Sequence, residues 1–207
     1  MAHERIIDLY ERNAGAWDRM RGRDLHERTW LDRFAATIPG GGTIFDIGCG
    51  MAEPVARYLV ERGFAVTGVD SSPSLVAMCR ERFPEQDWIV ADMRQLALGR
   101  RFDGVLAWHS FLHLTPDDQR SMFPIFASHC APGGALMFTS GPKHGENIDE
   151  WLGEPLYHGS LGPAEYQTRL AASGFKVLTN KVLDADCGSS TVWLAQMSPA
   201  SGLDGSA

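Results

Sequence analysis

Thr43-Ile44-Phe45-Asp46-Ile47-Gly48-Cys49-Gly50-Met51-Ala52-Glu53-Pro54 is an apolar run that ends on two glycines one residue apart and continues into a helical pattern. The run suits a buried strand, and Gly48 and Gly50, lacking a Cβ, allow positive φ and a close approach to the main chain. A helix opening near Ala52 would aim its unpaired N–H groups at the same spot, and Asp46 adds an acceptor at the strand end. Tight strand-to-helix turns need glycine whether or not they hold a ligand, so the turn alone leaves both readings open. It does disfavour a nicotinamide or flavin fold. Counted from Gly48, the third glycine of the dinucleotide fingerprint falls on Glu53, which cannot give the close helix–strand packing that glycine allows.

Downstream, strand and helix patterns alternate: strand 43–47, helix 52–62, strand 64–69, helix 73–83, strand 87–90, strand 103–109, helix 116–130 and strand 134–140. Repeated strand-helix-strand order forces parallel pairing with right-handed crossovers and helices on both faces. After helix 163–173, the runs 175–183 and 190–197 flank Asp184-Ala185-Asp186-Cys187-Gly188, the spacing of an antiparallel hairpin that closes the sheet. Gly141 to Gly162 is too long for an ordinary connection and reads as a lid. Upstream, apolar residues at helical spacing over 3–20, broken near Gly15, and over 24–37 predict a helical cap ended by Pro39-Gly40-Gly41-Gly42. The expected organisation is an amino-terminal helical cap at 1–40, an α/β domain at 41–197 with the lid at 141–162, and a disordered tail at 198–207.

With 19 Lys and Arg against 26 Asp and Glu, the net charge is −7, and the basic residues are scattered. A nucleic-acid partner is disfavoured, since phosphate neutralisation needs a basic face. Cys49, Cys79, Cys130 and Cys187 form no C-x-x-C and suggest neither a zinc site nor a disulfide framework. The amino terminus has no continuous apolar segment, and no run approaches the roughly 18 residues of a membrane span. These features predict a cytoplasmic protein with no membrane or metal partner, a monomer or homodimer.

Three strand ends carry candidate chemistry. Asp70 closes Ala65-Val66-Thr67-Gly68-Val69-Asp70 about twenty residues after the glycine turn, where a carboxylate can accept both hydroxyls of a ribose; it could equally cap the next helix, a role Ser71 or Ser72 can also fill. Asp92 and Met93 follow the third strand, where an Asp could accept an adenine amine with Met93 packed on the ring, or simply make a turn. The fourth strand ends in Trp108-His109-Ser110-Phe111-Leu112-His113. Its two histidines lack the Glu and third ligand of a metal site, which leaves each as a general base, a pocket wall or a structural histidine. In the lid, His144, Trp151, Tyr157 and His158 suit closure over a small molecule, as does Lys143.

Together these stretches resemble the class I S-adenosylmethionine-dependent methyltransferases. Ile44 to Ala52 is similar to the family's first motif, D-x-G-x-G-x-G, with Ala52 in place of the last glycine. Val69-Asp70, Ala91-Asp92-Met93, Phe102 to Leu114 and Ala131-Pro132-Gly133-Gly134 resemble later motifs in order. The resemblance implies a Rossmann-like seven-stranded, mostly parallel sheet with its last strand reversed. S-adenosyl-L-methionine is the implied cofactor: Asp46, Gly48 and Gly50 would hold its methionine part, Asp70 with Ser71 the ribose, and Asp92 with Met93 the adenine. Trp108 would face the sulfonium and Trp17 would roof it. The nucleic-acid amine-methylating branches carry an Asn/Asp-Pro-Pro-aromatic motif where this chain has Trp108-His109-Ser110-Phe111. A small-molecule methyltransferase is therefore implied, with Tyr10, His144, Trp151, Tyr157 and His158 around the acceptor and His109 or His113 as base. The alternative is a non-catalytic module that binds the same cofactor to regulate a partner.

Overall fold

A computed structural model of the chain describes residues 1–200; most of the expected tail lies outside them. Seven strands form one sheet: β1 (Thr43–Ile47), β2 (Ala65–Asp70), β3 (Asp87–Val90), β4 (Phe102–Ala107), β5 (Cys130–Ser140), β8 (Phe175–Asp184) and β9 (Ser190–Met197), in the order β3-β2-β1-β4-β5-β9-β8. The first five pair in parallel, whereas β9 runs antiparallel to both β5 and β8. The predicted seven-stranded Rossmann-like sheet with its reversed end is thus the fold. The strand order reverses between β1 and β4, and in open α/β sheets a crevice opens there, outside the carboxyl ends of the strands.

Burial explains the near-continuous apolar strands. Ile44, Val66, Leu106 and Met137 point to one face with Trp30, Phe34, Leu59 and Val76. Phe45, Val69, Val105 and Phe138 point to the other with Phe123, Phe126 and Tyr166. The covering helices are α3 (Arg28–Ala35), α4 (Val55–Glu61) and α5 (Pro73–Arg82) on the first face, and α6 (Pro116–His129) and α7 (Pro163–Ala172) on the second. Period-two alternation persists within strands that look uniformly hydrophobic because both faces are covered.

Two expectations change. The helix expected from Ala52 begins only at Val55: Gly48, Gly50 and Ala52 all take left-handed φ (78°, 55° and 67°), which extends the turn, and Pro54 lacks an N–H. Ala52 thus occupies a conformation that suits glycine, where the resembled motif has one. The lid is also regular rather than a loop. Strands β6 (Gly145–Trp151) and β7 (Glu154–Ser160) form a separate antiparallel hairpin.

The amino-terminal cap comprises α1 (Ile6–Arg12) and α2 (Ala14–Met20), broken at Asn13 rather than Gly15, followed by α3. Glu11 clamps α1 to the sheet domain. Its carboxylate accepts from Ser72 Oγ (2.5 Å), Ser74 N (3.1 Å) and Ser74 Oγ (2.7 Å) at the start of α5, and these bonds hold its pKa below the usual carboxylate value. Glu11→Ala frees these donors as the loss of a helix cap would. It is expected to lower stability by about 1–2 kcal/mol, read from the urea midpoint.

A second tie joins cap and turn. Glu53 pairs with Arg23 (2.6 Å) and Arg57 (2.6 Å), and Arg82 reaches Asp18 of α2 (2.8 Å). The glutamate that broke the dinucleotide pattern is an ion-pair hub joining the segment after α2 to α4 and, through Arg82 at 3.9 Å, to α5.

Candidate active site

A pocket opens at the switch point between β1 and β4, walled by the carboxyl ends of β1 to β4 and by the cap. Asp46, Gly48, Gly50, Asp70, Ser71, Asp92, Met93, Trp108 and Trp17 all line it, as do Tyr10, His109 and His113. Four strand ends converge because parallel strands present their carboxyl ends on one edge.

The two acids differ from ordinary surface carboxylates. Asp46 is 3 % exposed, and its side chain accepts no hydrogen bond from the described residues; burial first, and then the nearby Asp70, push its pKa up to about 7. Asp70 accepts from Gly50 N through Oδ2 and from Ser72 N through Oδ1, both at 2.9 Å. Burial raises its pKa to about 6 against the opposing pull of those bonds. Capping falls to Ser72, whose Oγ accepts from Leu75 N (3.2 Å), so Asp70 ties the glycine turn to the next loop and keeps its outer lone pairs for the pocket.

The glycines divide their work. A Cβ on Gly48 would sit 2.2 Å from Ser110 Cβ, so this glycine admits the loop after β4, where Ser110 Oγ donates to Ile47 O (2.6 Å). A Cβ on Gly50 would point toward Trp17 Nε1 at 3.6 Å, so Gly50 keeps the pocket floor low. The turn's amides face inward: Gly48 N and Cys49 N donate to Val69 O, Gly50 N to Asp70, and Ala52 N to Cys49 O. The expected fan of free helix N–H groups is reduced there because α4 starts late and the Gly48, Cys49, Gly50 and Ala52 amides donate within the protein.

Asp92 makes the turn, accepting from Arg94 N (3.0 Å), and also holds the Arg94 guanidinium. Burial would raise its pKa, but the Arg94 bonds prevail and lower it, so it stays ionised.

The two histidines separate clearly. His113 is enclosed, with Nδ1 at 2.9 Å from Tyr157 O and Nε2 at 3.0 Å from Tyr10 Oη. The carbonyl can only accept, so Nδ1 carries the proton and Nε2 accepts from Tyr10. Burial holds the His113 pKa at about 4 and raises that of Tyr10 far above its usual value, so both are neutral near pH 7. His109 lies in the left-handed region (φ 51°), its amide donating to Thr139 Oγ1 (2.9 Å) and its Nε2 at 2.8 Å from Ser190 Oγ. Its ring is open to solvent in the concave wall. Desolvation by the surrounding protein, then the charge of Arg21, lower its pKa to about 4.

His109 also lines a second chamber with His144 and His158, between the hairpin and the start of β9. Trp151 and Tyr157 line neither space. Trp151 stacks on Tyr10 (5.3 Å between ring centres) and meets Trp17 edge-on (5.8 Å), while the buried Tyr157 ring meets His3 and its hydroxyl donates to Glu146. The hairpin therefore latches on α1, helped by Arg12–Glu154 (2.8 Å). Sequence reasoning missed Glu11, Ser190 and Thr139, none of which stands in a motif.

Residues 44–134 match a family model described as a methyltransferase domain. The chain is 34 % identical over 153 residues, 73 % of its length and 54 % of the relative's, to a trans-aconitate 2-methyltransferase of Azoarcus sp. (strain BH72). It spans about half the length of the curated relatives it matches. In fold it is similar to the magnesium protoporphyrin IX methyltransferase of Synechocystis PCC 6803 (TM-score 0.74, 18 % identity, 96 % of this chain and 98 % of that one). It is likewise similar to the DhpI–SAH complex (TM-score 0.75, 18 % identity, 96 % and 98 %). Among the described residues no helix is long and apolar enough to cross a membrane, and no three His, Cys, Asp or Glu side chains cluster as metal ligands.

Proposed function

Residues 44–134 are a methyltransferase domain of the class I S-adenosylmethionine-dependent type, and from that premise we propose that the chain moves a methyl group from S-adenosyl-L-methionine to a small-molecule oxygen, nitrogen or sulfur acceptor. One observation supports the reading: beside the acid-floored pocket at the sheet's switch point lies a second chamber, and His109 lines both. A two-substrate transfer needs a space for each substrate with a side chain common to both, and a regulatory module that only holds the cofactor needs one space. The four cysteines, all free thiols, suit a cytoplasmic enzyme, monomeric or dimeric.

The residues fit the cofactor. Asp46 is a buried carboxylate with no hydrogen-bond donor among the described residues, Gly50 takes a left-handed φ (55°) on the pocket wall, and Asp70 keeps outer lone pairs for a diol. In this reading Asp70 and Ser71 hold the ribose, Met93 packs on the adenine beside Asp92, and Asp46 with the Gly48–Gly50 turn faces the methionine end. Bound there, the cofactor supplies an electrophilic methyl on a sulfonium. Trp108 and Trp17 wall that end and exclude water, which matters because in-line displacement depends mainly on alignment in a dry pocket. His109 touches the acceptor and fixes its approach. His113, with both nitrogens engaged, positions Tyr10.

Calorimetry with the demethylated cofactor, followed by labelled-methyl transfer to a pool of small acceptors, tests the reading. Binding with no transfer to any acceptor would favour the regulatory alternative. Because Trp151 packs on the pocket roof, Trp151→Ala is expected to weaken the demethylated cofactor several-fold by loosening Tyr10 and Trp17. An effect confined to acceptor KM would instead put Trp151 on the acceptor side.

A further inference from the structure

The turn after β3 carries a polar arrangement tighter than a turn requires. Asp92 Oδ1 accepts from Arg94 N and Arg94 Nε (both 3.0 Å), Oδ2 accepts from Arg94 Nη2 (2.5 Å), and Nε lies equally 3.0 Å from Oδ2. Arg94 Nη1 also reaches Asp118 Oδ2 (3.5 Å) in the first turn of α6, and Asp92, Arg94 and Asp118 all line the pocket at the switch point. Capping the turn needs only the bond to Arg94 N. The guanidinium adds little to stability, because its ion pair with Asp92 is open to water, with the Arg94 and Asp92 side chains 41 % and 22 % exposed.

What the guanidinium does fix is how Asp92 can act. A carboxylate has about four lone-pair sites, and when ionised it only accepts. Arg94 N, Nε and Nη2 fill all but one of them, and their fork holds the group against rotation. Met93 stands between Asp92 and Arg94 in the chain and reaches back across the pocket, its Cε 3.4 Å from where a Cβ on Gly48 would stand. A flat base packed on Met93 therefore meets one fixed acceptor at its edge.

We propose that Arg94 is a positioning residue for base recognition: it locks Asp92 so that a single acceptor site faces the purine edge, and the pocket takes a 6-amino purine in preference to a 6-oxo one. The proposal rests on the placing of adenine beside Asp92 in the reading above. An amino group donates to the free site, whereas a 6-oxo group sets oxygen against oxygen. A site built to pair with an N–H discriminates strongly against an analogue that lacks it, provided the site cannot rearrange. Arg94 supplies that rigidity from outside the base, through Asp92 alone.

The test titrates the full chain by calorimetry with the demethylated cofactor and with its inosine analogue, which carries oxygen in place of the amine. The parent should prefer the adenine form about 10- to 100-fold, the range for mispairing one hydrogen bond to a charged group. Arg94→Met keeps the backbone donor and loses the fork, so it should narrow that preference about 3- to 10-fold while its urea midpoint stays close to the parent's. Arg94→Lys, which restores the charge without the planar fork, should fall between the two. Asp92→Asn tests the acceptor itself: the fixed donor Arg94 N draws the amide oxygen to the Oδ1 position and leaves an NH2 at the other, so the preference should vanish or reverse. The proposal falls if the parent binds the two forms equally, if Arg94→Met weakens both alike and keeps the preference, as a purely structural ion pair would, or if Asp92→Asn keeps it. A parent that binds neither form would instead overturn the cofactor reading, and this proposal with it.

Discussion

Asn in place of Asp70 is expected to weaken the demethylated cofactor by about 1–3 kcal/mol, roughly 5- to 150-fold, the range for unpairing hydrogen bonds to a charged group. The substitution keeps one oxygen to accept from Ser72 N or Gly50 N, so the turn survives. What it loses is a second acceptor, because the new amide turns N–H donors toward either Gly50 N or the ribose hydroxyls. Calorimetry gives the affinity and the urea midpoint checks the fold. Unchanged affinity would remove Asp70 from the ribose site.

The same carboxylate gives a pH signature with a definite sign. Burial raises Asp70 to about 6 and Asp46 to about 7, above their usual 3.8. Between those values and the unfolded pKa the folded chain binds more protons than the unfolded one. Their contribution to stability is therefore full below about pH 4 and is lost as pH rises through 6 and 7. His109 and His113 act oppositely: with folded pKa values of about 4, their contribution is present above the unfolded 6.5 and is lost as pH falls toward 4. Cofactor binding selects the ionised acids, so affinity should rise with pH, by up to about tenfold per pH unit below 6 for one required ionisation. Asp70→Asn should flatten that rise, leaving the Asp46 share.

What the sequence revealed followed from local rules, and what it hid depended on distant contacts. Apolar runs between glycines and prolines mark every strand of the large sheet, and its parallel order lines up Asp46, Asp70, Asp92 and His109 along one edge before any coordinate is known. The hairpin was hidden because β6 buries none of its residues fully and so carries no apolar alternation. Its partner is β7 alone, and the cap rather than a core holds it down. Trp151 and Tyr157 read as acceptor contacts because both are aromatic with polar tips, but pairing in the hairpin turns Trp151 toward Tyr10 of α1 and Tyr157 toward His3 ahead of it. The late start of α4 depends on the left-handed Ala52, which its neighbours in the chain do not announce. Glu11 meets Ser72 from 61 residues away, and Ser190 meets His109 from 81. No spacing rule reaches so far.

Replacing His109 with Ala is expected to lower kcat about 10- to 100-fold while leaving affinity for the demethylated cofactor within a few-fold, because the loss is one of acceptor alignment. The ring reaches the wall shared by the two spaces through an uncommon left-handed backbone, held by Thr139 Oγ1 at its amide and by Ser190 Oγ at Nε2. A non-glycine residue persists there only where its surroundings over-determine it, and such sites cluster where a side chain must be aimed. Ser190→Ala should reproduce part of the kcat loss, several-fold, without touching the cofactor, since it frees the ring and leaves it in place. The pH profile separates aiming from proton transfer. With His109 neutral from well below pH 6 upward, kcat of the parent should be flat between about pH 6 and 8, and the Ala variant should be lower but equally flat. A limb near 6.5 that disappears in the variant would make His109 a titrating base in the bound complex.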